Sequence, residues 1–183
     1  MTKNGYNWDE VLSAIQKEIR RGNEYNAVFW AVEGESFNPK AVWNRLRVIA
    51  SEDIGIANPM APILIDVLER EYAYFIEKKE KCNEEDNSHR LFLVNAVLYL
   101  ARSPKSRIVD NLLNVVYGEI QHEERKLAMP DYAIDKHTLR GRMLGRGLED
   151  FLTEGVRLNN ESIEDPYKER ARDLLLRYRG LNS

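Results

Sequence analysis

Apolar residues recur every three to four positions over most of this chain, the spacing that predicts amphipathic helices. Trp8, Val11, Leu12, Ile15 and Ile19 form a first stripe, and Gly22 stops it. Tyr25, Val28, Phe29 and Val32 mark a second helix, closed by Gly34. Asn38 followed by Pro39 reads as an N-cap and a first-turn proline, after which Val42, Leu46, Ile49 and Ala50 give a third stripe. Behind Pro62 comes a long pattern through Ile63, Leu64, Val67, Leu68, Tyr72, Phe75 and Ile76, which dissolves into the charged run from Glu77 to Asn87. A fifth helix is predicted over 88–102, with Leu91, Val94, Val97, Leu98 and Leu100 inward and Ser103-Pro104 as its break. A sixth covers 105–127 through Ile108, Leu112, Val115, Val116 and Ile120. The stretch 130–147 is irregular and contains glycines. Leu148, Phe151, Leu152 and Val156 then predict a short seventh helix, and Pro166 opens a last one through Tyr167, Ala171, Leu174, Leu175 and Tyr178. No alternating run lies between hairpin turns, so strands are not expected. The expected fold class is all-α: a compact helical domain over 1–164, with the final helix, 165–183, as a separable tail.

Composition adds limits. The chain has 183 residues and is 43% hydrophobic, enough for a real core. Its net charge of −3, from 27 basic and 30 acidic residues, gives no global reason to bind nucleic acid or an anionic membrane. The lone Cys82 cannot form an internal disulfide. The polar start from Met1 to Asp9 lacks the apolar core of a signal peptide, and no run approaches the roughly 18 apolar residues of a membrane span. A cytoplasmic protein with no membrane partner is expected.

One segment departs from simple amphipathic patterning. Between Arg47 and Pro59, Glu52 and Asp53 sit beside Ile49, Ala50, Ile54 and Ile56, where an unpaired charge is costly. Compensating partners are required, and Arg45, Arg47 and Arg102 are the expected ones.

Candidate chemistry is sparse. Gly141, Gly145 and Gly147 have neither the preceding strand nor the Lys-Ser/Thr of a phosphate-binding loop, and structural glycines explain them. Glu119 and His122 have the i, i+3 spacing of one half of a di-metal set, but the other half is missing, since Asp86 and His89 lie in a polar loop. No metal or cofactor is expected. Cys82 stands among Lys79, Glu80, Lys81 and Asn83 and reads as a surface thiol rather than a nucleophile. Ser103 and Pro104 suit the start of the following helix, beside Lys105-Ser106. Tyr6, Trp8, Trp30 and Trp43 suit core or interface anchors. The best local signal is the basic segment of Lys136, His137, Arg140, Arg142 and Arg146, which can hold phosphate through guanidinium forks. Asp131, Asp135, Glu149 and Asp150 flank it, so a set of loop-locking salt bridges is an equal alternative.

Three ordered motifs carry a resemblance. Ala27-Val28-Phe29-Trp30 precedes Arg45-Leu46-Arg47 and Ser51-Glu52-Asp53-Ile54-Gly55; Tyr99 to Ser106 supplies a Tyr-Leu-Ala-x-x-Pro-Lys-Ser element; Met129 to Ala133 and Asp135 to Gly147 follow. Over residues 10–158 the chain resembles the C-terminal region of MgsA/RarA-type AAA+ ATPases, the replication-associated recombination protein A family, without the ATPase module. The resemblance implies a helical domain similar to the clamp-loader collar, used in assembly, with a homotetramer as the expected oligomer and an AAA+ ATPase or a replication protein as a possible partner. It implies interaction or structural importance for Trp30, Trp43, Arg45, Arg47, Ser51, Glu52, Asp53, Gly55, Pro104 and Lys105, with Phe37 joining Trp30 and Trp43 at an apolar interface.

The expected function is therefore a non-catalytic oligomerisation and interaction module of DNA replication or recombination, not an enzyme. The alternative is a nucleic-acid or phosphate-binding protein that uses the 136–146 segment on DNA. A third reading, acid–base catalysis by Glu52, Asp53 and His137, requires that the two acids not be tied up by arginine.

Overall fold

The computed structural model describes residues 1–82 and 86–179. Its contacts group the chain into two units, 1–124 and 125–183. Every regular element among the described residues is helical.

The first unit holds six α-helices: α1 (Trp8–Arg21), α2 (Glu24–Glu35), α3 (Pro39–Ile49), α4 (Ala61–Cys82), α5 (His89–Arg102) and α6 (Ile108–His122). Local chemistry sets several ends. Gly22 adopts a left-handed φ of 71° and its N–H closes α1 on Glu18 and Ile19. The Asn38 side chain accepts from the Ala41 N–H, with Pro39 in the first turn of α3. Beyond Ile49 the chain continues as one π-helical turn, Ala50–Ile54, then a 3₁₀ turn, Gly55–Ala57.

Helices α1, α2, α5 and α4 pack in sequence around one core that runs from Val11 to Leu100, with α3 inserted against α1, α2 and α4. Ile15, Ile19, Val42, Trp43, Leu46, Ile49, Ile54, Ile65, Leu93 and Leu100 are fully buried there.

Periodicity located the helices but not every buried face. On α2 the buried side is Ala27, Ala31 and Gly34, while Tyr25 is 82% exposed and Phe29 and Val32 are also exposed. Small residues face inward because α2 lies close between α1 and α5. Gly34 does not close the helix, which runs one residue further. It is a contact point where an added Cβ would stand 2.8 Å from the Val42 methyl group. On α4 the inward residues are Ala61, Ile65, Leu68 and Tyr72, leaving Ile63 and Val67 exposed; on α5 Leu91 is exposed and His89, Leu93 and Ala96 take the interior. Helix α6 starts at Ile108, later than position 105. Ser103 ends α5 rather than opening α6: its hydroxyl donates to the Tyr99 carbonyl at 2.8 Å. The Cys82 side chain lies outside the described residues.

The second unit contains α7 (Leu139–Met143), α8 (Leu148–Asp150), which continues as a π-helical turn over Phe151–Gly155, and α9 (Lys168–Arg179). Ile134 and Gly141 are its buried residues among those described. At Gly141 an added Cβ would collide with the Asp135 carbonyl, 1.8 Å away, so that glycine is structural.

Candidate functional site

The acidic pair sits on the π-helical turn that extends α3. The extra residue in this turn swings Asp53 into the interior, where its side chain is 1% exposed, and leaves Glu52 at the margin. An isolated carboxylate there would be expensive, and the structure compensates it fully. Arg20 spans both acids, with Nε on Asp53 Oδ1 at 2.5 Å and Nη2 on Glu52 Oε1 at 2.7 Å. Arg107 approaches from the other side, its Nη1 donating to Glu52 Oε1 at 3.0 Å and Asp53 Oδ1 at 3.1 Å. The Gln16 amide donates to Asp53 Oδ2 at 2.9 Å and Glu52 Oε2 at 3.1 Å, and its own oxygen accepts from Arg45 at 2.9 Å. Two guanidinium groups thus face two carboxylates through charge-assisted hydrogen bonds. Acid–base catalysis by this pair fails on its own condition, because both acids are tied to arginine.

The partners differ from those expected. Arg45 reaches the acids only through Gln16. Arg47 pairs instead with Glu69 at 2.8 Å and Asp66 at 3.4 Å, and Arg102 holds Glu24 with two bonds of 2.8 and 2.9 Å. Sequence reasoning missed Gln16, Arg20 and Arg107. Gln16 and Arg20 are four apart on α1, so they share one helical face, and that was the available signal. Arg107 gave none, because its contact depends on the path of the chain after α5.

That path makes the acidic turn a socket for α6. The Ser106 N–H donates to the Asp53 carbonyl at 2.9 Å, and Arg107 also binds Asp110 in the first turn of α6. Contact with the acids holds the Arg107 guanidinium above its usual pKa, chiefly through the Glu52 hydrogen bond. Gly55, at φ 50° and ψ −130°, lets the backbone turn where an added Cβ would sit 3.2 Å from Val109. Lys105 folds back onto the carbonyls of Ala101 and Ser103 at 2.7 and 3.0 Å. Partial burial lowers its ammonium pKa, and Asp53 opposes that. The Asn58 amide ties the same corner to α5, donating to the Tyr99 hydroxyl at 2.8 Å and Ser103 Oγ at 3.2 Å. Pro104 and Ser51 are exposed.

The helix held this way is the unusual one. Ile108, Val109, Leu112, Leu113, Val115, Val116, Tyr117 and Ile120 are each 40–61% exposed, and α6 has no buried residue. These residues cover about half of the helix circumference, the width that normally faces a core. Glu119 and His122 lie in its last turn, and no group of three or more metal-ligating side chains occurs among the described residues.

The aromatic residues divide. Trp43 is 2% exposed and packs on Tyr72, a core position that removes it from the surface interface expected with Trp30 and Phe37. Trp30 is half-buried between Tyr6 and Phe29, each at 5.0 Å and edge-on; Phe37 is exposed and leans on Trp8.

In the second unit three of the five basic residues bond to the loop that carries them. Arg146 binds Asp131 at 2.5 Å and the carbonyls of Asp131 and Ile134 at 2.6 Å. Arg142 donates to the His137 carbonyl at 3.0 Å. His137 packs its ring on Phe151 and pairs with Asp135 at 3.0 Å; those bonds hold the Asp135 carboxyl below its usual pKa. The side chains of Lys136 and Arg140 carry no hydrogen bond or ion pair among the described residues.

Comparison with known proteins places this geometry in a lineage. Residues 24–153 match the family described as MgsA AAA+ ATPase C terminal, a span that includes the acidic turn, α6 and the basic segment. The replication-associated recombination protein A of Bacillus subtilis is 33% identical over 148 residues, which cover 76% of this chain and 31% of that protein. Its namesake in Haemophilus influenzae is 27% identical over 141 residues, 74% of this chain and 27% of that protein. An uncharacterized AAA domain-containing protein of Mycobacterium tuberculosis is 30% identical over 141 residues, 74% and 28% of the two chains. The chain therefore spans less than a third of each of these relatives. With the family match covering most of its length and the fold helical throughout, the chain belongs to the MgsA AAA+ ATPase C-terminal family.

Proposed function

We propose that this chain is a non-catalytic assembly module whose copies associate through α6, serving AAA+ proteins of DNA replication or recombination in the cytoplasm. The observation that carries this reading is the half-exposed apolar face of α6, eight large side chains on one 15-residue helix. Monomers rarely leave a contiguous patch of this kind in water. A socket of two arginines and two acids fixes the helix at its first turn, which supports a preorganised contact surface. Symmetric association of identical copies is the simplest way to cover such a face. The homotetramer comes from the resemblance, and the replication context from the names of the relatives.

Sedimentation equilibrium at micromolar concentration tests the reading. The chain is expected to sediment as a tetramer, and the double substitution Leu112→Glu with Val116→Glu to reduce it to a monomer with an unchanged circular dichroism spectrum. A wild-type chain that stays monomeric overturns it.

The alternative, nucleic-acid or phosphate binding by the 136–146 segment, keeps support from Lys136 and Arg140. Arg142, Arg146 and His137 serve the loop itself, so two cations remain of the five. DNA binding that falls steeply with salt and disappears with Lys136→Ala and Arg140→Ala is the result that reading requires.

A further inference from the structure

His89 is a buried titratable group that neither the acidic socket nor α6 uses. It is 6% exposed and stands first in α5, between Glu35 at the end of α2 and Tyr72 in the middle of α4. Its ring meets the Tyr72 ring edge-on at 5.5 Å. Its Nε2 lies 4.0 Å from Glu35 Oε1, too far for a hydrogen bond, and that oxygen already accepts from the Tyr72 hydroxyl at 2.8 Å. Its Nδ1 is sealed from solvent and meets no hydrogen-bond partner among the described residues. The site suits a neutral ring.

Each neighbour bears on what a proton does there. Glu35 from α2 and Asp86 from the approach to α5 favour a cation, while Lys79 from α4 and Arg90 from α5 oppose it. Tyr72 stays uncharged, because burial and Glu35 push its hydroxyl up. Asp86 is already engaged by Ser88, whose backbone N–H and hydroxyl donate to it at 2.8 and 2.5 Å. Burial outweighs the acids and pulls the His89 imidazole below its ordinary value. Its place in the first turn adds to this, since the N-terminal end of a helix carries partial positive charge. In the imidazolium both ring nitrogens donate, so protonation puts an N–H at Nδ1 where no acceptor stands. The turn has little else to fix it. Ser88 precedes it without a side-chain cap bond. The same turn carries Phe92, which packs on Phe75 of α4 at 5.3 Å.

We propose that His89 is a proton-operated latch. Neutral, it seats the first turn of α5 against α2 and α4; on taking up a proton it leaves that site, and the turn opens with Phe92 parting from Phe75. Water then solvates the imidazolium, which gives the linkage a definite sign. A histidine whose pKa is lowered in the closed form binds fewer protons there than in the open form. The latch is therefore at full strength above about pH 6.5 and weakens as pH falls below that value. Ordinary carboxylates titrate about two pH units lower, which leaves a window clear of them.

The test is hydrogen exchange of the full chain at pH 7.5 and 5.5, corrected for the intrinsic pH dependence of exchange, with the His89 imidazole titrated by carbon–proton NMR. His89→Phe, which takes up no proton, identifies the resonance by its loss. Protection of amides 91–94 is expected to fall roughly threefold to tenfold at the lower pH, tenfold being the ceiling for one proton at one pH unit below 6.5. Helices α1 and α3 are expected to keep theirs, and His89 to titrate below 6.5. His89→Phe is expected to abolish the pH response, and Glu35→Gln, which removes an acid that favours the cation, to enlarge it. An imidazole that titrates at or above 6.5, protection of 91–94 that pH leaves unchanged, or equal loss in α1 and α3 overturns the proposal. So does a pH response that survives His89→Phe or shrinks in Glu35→Gln. Should the phenylalanine variant fail to fold, Glu35→Gln and the wild-type titration decide.

Discussion

Asp53 shows how one residue can be legible in kind and illegible in detail. Its setting among Ile49, Ala50 and Ile54 demanded a counter-charge, and the structure supplies two. Which two could not be read, because helical spacing reports neighbours on one element while Arg20 and Arg107 arrive from α1 and from the loop after α5. The prediction at this scale follows from the arithmetic of charge. Asp53→Ala leaves Arg20 and Arg107 facing Glu52 alone in a half-buried site. Removing one partner of a buried pair costs about 3–5 kcal/mol, and the part-exposed guanidinium groups place this case near 3. Glu52→Ala, at the solvated margin, is expected to cost about 1 kcal/mol or less. Urea unfolding of the two variants, with unchanged m-values, measures the difference. Equal costs would show that the pair acts as a surface feature rather than as a buried charge and its rim.

At the scale of the element, what was legible depended on how close the neighbours come. The stripes of α1 and α3 read correctly because large side chains fill the space under both helices. The stripe of α2 misled because close packing against α1 and α5 selects Ala27, Ala31 and Gly34 and pushes Phe29 and Val32 outward. A periodicity rule that scores hydrophobicity ranks those faces the wrong way round. Helix α6 is the converse. Its apolar stripe was visible, yet the stripe faces solvent within the chain, which no single-chain pattern can announce. The element-scale prediction concerns what holds α6. Arg107 and the Ser106 N–H fasten its first turn to Asp53, so Arg107→Ala is expected to raise hydrogen exchange across 108–122 by about tenfold or more while protection in α1, α4 and α5 stays near wild type. Arg107→Lys restores charge but not the two-acid reach and is expected to fall between. Uniform loss of protection in all helices would mean that Arg107 serves global stability rather than the seating of α6.

For the whole molecule, the governing fact is where the buried residues lie. The hydrophobic core runs from Val11 to Leu100, inside the first unit, whereas among the described residues of 125–183 only Ile134 and Gly141 are buried. Cooperative unfolding tracks buried apolar surface, so the first unit carries it. Contact within the chain divides it at 124/125. Composition marks solvated segments well, but it cannot tell which helices share a core. A chain ending at Glu124 is therefore expected to melt within about 5 °C of the full chain with the same sharpness. It also divides the assembly question, since α6 is retained while the basic segment and α9 are removed. If copies associate through α6, sedimentation of the 1–124 chain gives the same oligomer as the full chain, and Leu112→Glu with Val116→Glu dissolves both. If the shortened chain keeps its melting transition but becomes a monomer, residues 125–183 make the contact, and the apolar face of α6 must be covered by something other than a second copy.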